Sequence, residues 1–146
     1  MLSTYTRMIA LIGCLSYLGS AFGYSIVLFP FLYFDEGHPK RDESLEDALN
    51  GPGQKQNLEF VTDFLKRFPS EKILIRARTD ANECAADQCQ VLSKRRALLV
   101  EQWLLAHEVN RSQIEKVEWT NASESFGASE TMEQSAQNRV VELVHH

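Results

Sequence analysis

The residues able to do chemistry fall in three short stretches. Thr79-Asp80 closes an alternating run, Lys94-Arg95-Arg96 opens an apolar helical pattern, and Asn138-Arg139 begins a late apolar run. A carboxylate only accepts hydrogen bonds, and a guanidinium donates through a planar fork that fits a carboxylate two bonds at a time. An Asp and an Arg held at a fixed separation therefore suit a ligand that carries both signs of charge. Each charge-assisted bond at a shielded site contributes about 1.5–3 kcal/mol. The same residues have plainer uses: a strand-end Asp forms turns or caps helices, and an Arg in a basic run commonly lies on a solvated helix face. Other chemistry finds little support. The chain has no glycine loop for phosphate, no nucleophile elbow and no zinc motif. His38 and His107 lack partner spacing, His145-His146 reads as a terminal tail, and Asp80 with Glu83 is unsupported as a hydrolytic carboxylate pair. No catalytic residue, cofactor or resident metal is expected.

Composition agrees with a binding or structural role. The chain has 146 residues, 44% of them hydrophobic and 24% charged, with a net charge of -5. This fits one globular domain and excludes wholesale disorder. The acidic balance gives no basic stripe for nucleic acid.

Residues 1–23 have the layout of a secretory signal: Arg7, an apolar stretch from Met8 to Phe22, and small residues at the Ala21-Phe22-Gly23 end. Two other readings stay open. Leu11-Ile12-Gly13-Cys14 resembles a lipobox, which would make Cys14 the lipidated first residue. The apolar character also runs on to Phe34, long enough for an uncleaved anchor over Met8–Phe34, although Pro30 and several glycines interrupt it. All three deliver residues 24–146 outside the cytoplasm, and the last two attach them to a membrane. After the signal only Cys84 and Cys89 remain. In an oxidising compartment they are expected to pair, closing a loop worth only ~2 kcal/mol and marking a bent segment before a helix. Two unpaired thiols are the alternative.

The elements that must position these residues follow from periodicity. Ser25–Phe34 is a strand pattern whose Pro30 demands an edge or a bulge. Residues 35–53 read as a loop with one helical turn near Leu45–Leu49. A helix is predicted over 54–68, ended by Pro69. Lys72–Arg78 alternates as a half-buried strand, and a polar stretch runs over 79–90. Residues 91–107 carry a stripe of Leu92, Leu99, Trp103 and Leu104 on a helix. Ile114–Trp119 is a third strand, 120–137 a long polar loop, and Asn138–Val144 the last strand. This order predicts an α/β (α+β) sandwich, a small mixed four-stranded sheet with helices on one face.

In this order the fragments resemble the OmpA-like, peptidoglycan-associating domain. The family pattern is a strand ending in Thr-Asp, a turn, Leu-Ser-x-x-Arg-Ala opening a helix, and a late Asn-Arg-Arg-Val-Glu strand. Here these are Thr79-Asp80, Leu92-Ser93-Lys94-Arg95-Arg96-Ala97 and Asn138-Arg139-Val140-Val141-Glu142. The resemblance spans roughly residues 25–144. It implies non-covalent binding of the peptide stem of peptidoglycan, with Asp80 on the ammonium of diaminopimelate, Arg96 on its carboxylate, and Thr79, Asn138 and Arg139 around them. It implies a place in the periplasm or at the outer membrane of a Gram-negative bacterium, with envelope proteins as further partners. A degenerate subunit of a secretion or motor complex, without wall binding, is the other reading. The sequence departs from the pattern at Ala77 and Arg78, which precede Thr-Asp, and at Glu83, near the usual turn glycine. It departs again at Cys89, in place of an Asn, and at Val140, in place of an Arg. The cysteine bridge is expected to replace the glycine turn, and Glu83, Asp87, Arg78 and Arg95 to add charge beside the pocket. Cleavage after Gly23 is the expected processing. Mass spectrometry of the mature N-terminus checks it, since an acylated Cys14 or an intact Met1 would each give a different mass.

Overall fold

The structure, a computed structural model, describes residues 28–120 and 131–145. The proposed signal, Cys14 and Ser25–Val27 lie outside the described residues, as do 121–130 and His146, so the first domain boundary is not addressed by it.

Four strands form one mixed sheet. They are β1 (Leu32–Tyr33), β2 (Ile73–Ala77), β3 (Ile114–Trp119) and β4 (Val140–His145), in spatial order β1-β4-β2-β3. β2 runs parallel to β3, and β4 is antiparallel to both β1 and β2. A parallel pair needs a crossover, and a long helix between β2 and β3, α3 (Ala86–Ala106), supplies it. The other helices are α1 (Leu45–Ala48), α2 (Pro52–Arg67) and the short α4 (Met132–Asn138). The expected α+β sandwich is therefore the observed one.

One face of the sheet meets the helices. Ile73, Ile75 and Ala77 of β2 are buried with Leu58, Val61 and Leu65 of α2 and Ala97, Val100 and Leu104 of α3. The alternation read from 72–78 is the cause, because successive strand side chains take opposite faces. On the other face β2 presents Arg76, paired with Glu118 of β3 at 2.6 Å, and beyond it Arg78 reaches Glu142 of β4 at 3.2 Å. Lys116 and then Arg76 hold the Glu118 carboxyl below its ordinary range. Its contribution is thus complete above that range and is lost as pH falls through the lowered value.

Several boundaries differ from expectation, each for a local reason. The strand foreseen over Ser25–Phe34 contracts to Leu32–Tyr33 among the described residues. Pro30 has no N–H to give to a ladder, and although the Phe34 N–H still meets the Arg139 carbonyl in the β1–β4 register, Phe34 turns off to an isolated bridge with Leu49. α2 starts at Pro52, two residues early: Gly51 adopts φ 84°, and Pro suits the first helical turn. α3 starts at Ala86 rather than 91, because its first turn is polar and carries no apolar stripe. The polar stretch before the last strand contains α4, capped by reciprocal bonds between Thr131 and Gln134. That Thr-x-x-Gln signature was visible in the sequence. His145 is no tail residue: it ends β4, contacts Glu71, and meets Phe29 and Phe64 edge-on.

A buried glutamine ties the far end of the fold together. Gln113, in a 3-10 turn at Arg111–Gln113, directs its amide to the carbonyls of Leu65, Phe68 and Glu71 at 2.9–3.2 Å. These carbonyls lie at and beyond the end of α2, where the helix itself supplies no donors. Gln113→Ala is expected to lower stability by about 1–3 kcal/mol, read as a shifted midpoint in urea denaturation with an unchanged slope.

Candidate functional site

The site lies beyond the C-terminal end of β2, where the segments 34–39, 78–83, the start of α3 and the end of α4 converge. The basic run 94–96 scatters there because helical residues are about 100° apart. Lys94 lies over the Trp119 ring at 5.0 Å, Arg95 donates to the Pro39 carbonyl at 2.9 Å, and Arg96 turns inward. The solvated helix face does not apply to Arg96, which is 0% exposed.

Its guanidinium is fully engaged. Nη1 and Nη2 each meet an oxygen of Glu83 at 2.7 Å, in the two-pronged geometry that suits a carboxylate. Nε donates to the His38 carbonyl at 2.8 Å, Nη1 also to the Arg78 carbonyl at 2.9 Å, and the Phe34 ring lies 5.1 Å away. Glu83 is the residue whose role the sequence understated. It was legible only as extra charge near a missing glycine, because the burial of Arg96 that demands it is a tertiary fact.

Asp80 is beside this pair and, like it, is buried, at 1% exposed. Its backbone N–H donates to Glu83 Oε1 at 2.9 Å, the oxygen that Arg96 Nη1 also meets. Its carboxylate accepts from the Asn82 backbone N–H at 3.0 Å and from the Asn138 amide at 3.4 Å. Asn138, the last residue of α4, is itself buried. Arg139 turns the corner into β4 and donates through Nε to the Phe34 carbonyl at 3.3 Å. Thr79 is fully buried, and its hydroxyl has no hydrogen-bond partner among the described residues.

A polar cavity of about 350 Å³ opens at this point, lined by Glu36, Asp80, Asn82, Thr131, Ser135 and Arg139, with Met132 at its edge. Of the sequence-derived residues, Asp80 and Arg139 face this cavity, Asn138 holds Asp80, and Thr79 and Arg96 lie behind. Sequence reasoning missed Thr131 and Ser135, since it left α4 unrecognised, and Glu36 and Asn82, which lie in loops without a motif of their own. A larger cleft of about 470 Å³ between α2 and α3 includes Lys66, Trp103 and His107 and none of the motif residues.

The segment that follows Glu83 is closed covalently. Cys84 and Cys89 form a disulfide with their Cα atoms 5.2 Å apart. It joins the residue after Glu83 to the first turn of α3, instead of lying wholly before the helix. Arg78 turns to the outer face of the sheet, away from the cavity, and the Asp87 side chain lies outside those described.

Comparison with known proteins places this geometry. A model described as the OmpA family matches residues 46–139. The solved peptidoglycan-associated lipoprotein from Burkholderia pseudomallei is 25% identical, with 80% of this chain and 89% of that one covered at a TM-score of 0.63. The C-terminal domain of Helicobacter pylori MotB is 20% identical, with 84% and 85% covered, at a TM-score of 0.63. A putative MotB-like protein from Desulfovibrio vulgaris is 21% identical, with 66% and 61% covered, at 0.56. The last two show the shared fold. No curated protein sequence matches the chain.

Removing one member of a buried ion pair strands the other charge. Glu83→Ala is expected to destabilise the fold by about 3–5 kcal/mol, measured by denaturant unfolding. A loss below about 1 kcal/mol, the scale of an exposed pair, would show that water reaches Arg96.

Proposed function

The chain belongs to the OmpA family, and from that premise we propose that it binds the peptide stem of peptidoglycan, without catalysis, in the periplasm or at the outer membrane of a Gram-negative bacterium. The observation that carries this reading is the cavity lined by Asp80 and Arg139 at the end of β2. Asp80 is the acceptor for the ammonium of a diaminopimelate side chain. Asn138 and the Asn82 N–H keep its carboxylate aimed, so little ordering is needed when the ligand arrives. Thr131 and Ser135 offer hydroxyls to the amide groups of the stem, and Arg139 offers a cation to one of its carboxylates. Arg96 and Thr79 act from inside, by shaping the wall behind Asp80. The similarity to a protein described as peptidoglycan-associated supports the same reading.

A second reading keeps the fold and drops the wall. The pairing of Arg96 with Glu83 favours it, since the cation expected to take a ligand carboxylate is already occupied. The chain would then serve as an interaction subunit of an envelope complex, for which the fold shared with MotB domains is a precedent.

Retention on purified sacculi separates the two. Wild type should sediment with sacculi, and Asp80→Asn, which keeps the shape and removes the charge, should bind about tenfold or more weakly, as loss of one charge-assisted bond implies. Thermal melting of the variant checks that it folds. Equal retention of both proteins would remove Asp80 from the site. No retention of wild type, together with a crosslinked protein neighbour in the envelope, would favour the second reading.

A further inference from the structure

The carboxylate of Glu83 occupies a completed anion seat. Oε1 receives the Asp80 N–H at 2.9 Å and Arg96 Nη1 at 2.7 Å, and Oε2 receives the Gly37 N–H at 2.9 Å and Arg96 Nη2 at 2.7 Å. Donors from three separate segments converge on one carboxylate, and both side chains are 0% exposed. This is how a receptor holds an anion, with the anion supplied by the chain itself. The neighbouring Cys84–Cys89 bridge keeps the acid close to its seat. A tethered group competes as if it were present at millimolar concentration or above, roughly the effective concentration of a short linkage. A free ligand carboxylate meets that competition before it can reach Arg96.

The seat and the open cavity share one wall. Asp80 contributes its N–H to the seat, and the residue itself, 1% exposed, lines the cavity. With Glu83 and Arg96 neutralising each other behind it, the cavity presents Glu36, Asp80 and Arg139, an excess of negative charge. That balance favours a ligand side chain with a net positive charge over a zwitterion.

We propose that Glu83 determines ligand class: by filling the seat on Arg96, it makes the cavity a site for a primary ammonium that needs no carboxylate on the same carbon. The proposal rests on the wall-stem reading above and sharpens it. Peptide stems carrying lysine, or diaminopimelate with its side-chain carboxylate converted to the amide, fit the site as well as stems carrying free diaminopimelate.

The test titrates the purified full-length chain with three soluble synthetic stem peptides, followed by calorimetry. They differ only in the third residue: free diaminopimelate, its side-chain amide, and lysine. Wild type should bind the three within about threefold of one another, well short of the tenfold that one charge-assisted bond supplies. Glu83→Ala, with the seat vacated, should prefer the free acid by roughly tenfold or more. A wild-type preference of that size for the free acid would overturn the proposal, and so would a Glu83→Ala protein that does not distinguish acid from amide. Wild-type ranking stands as a test even where the variant folds poorly. Thermal melting with added acetate reads the seat without any wall ligand. Acetate should raise the melting temperature of Glu83→Ala and leave wild type unmoved, because it can bind only a vacant seat. An unmoved variant also overturns the proposal. Failure of wild type to bind any of the stems, alongside acetate stabilisation of the variant, would reject the wall-stem reading and this ligand class with it, leaving only the anion seat.

Discussion

The interior guanidinium of Arg96 is the constraint around which the upper end of this domain is built. A charge withdrawn from water is tolerated only if other polar groups replace the solvent on every side. Here the replacements come from widely separated parts of the chain: carbonyls at His38 and Arg78, the Glu83 carboxylate, and the face of Phe34. Each of these must hold its place for the cation to remain buried. The segment entering from β1, the turn leaving β2 and the start of α3 are thereby locked to one another. The Cys84–Cys89 bridge adds a covalent tie to the same turn.

This arrangement separates shaping from contact. Arg96 and Glu83 cancel in the interior and fix the turn, and Asp80 stands on the boundary between that interior and the open cavity. Its backbone N–H belongs to the ion-pair network, and its carboxylate is held by Asn82 and Asn138 at the cavity's edge. The polar residues of the cavity therefore sit on a frame in which Arg96 and Glu83 satisfy each other. The lining of that cavity is acidic on balance, with Glu36 and Asp80 against Arg139. The outer face of the sheet repeats the pattern on a smaller scale, where Arg76 and Arg78 meet Glu118 and Glu142 across strands.

Legibility in the sequence followed the strength of the periodic signal. The alternation of Ile73, Ile75 and Ala77 and the apolar stripes of α2 and α3 were enough to place these elements, since burial of one face is what makes them regular. The ten-residue strand pattern over Ser25–Phe34 gives only Leu32–Tyr33 among the described residues, because Pro30 cannot donate to a ladder and Phe34 turns off to a bridge with Leu49. α4 escaped notice because a short polar helix has no stripe, only its capping box. The start of α3 was misjudged for the same reason: its first turn is polar.

The site divides along the same line. By itself the sequence determined the order of the strands and the two long helices, the family resemblance, and the presence of an acid after β2 and a guanidinium in the following helix, because such motifs are local in the chain. Only the tertiary structure decided what those charges meet. Arg96 points inward because helix phase carries it under the turn, and there it meets the acid standing near the place of a glycine. Whether a charged side chain faces a partner or water depends on packing between segments up to 105 residues apart, and no local pattern encodes it.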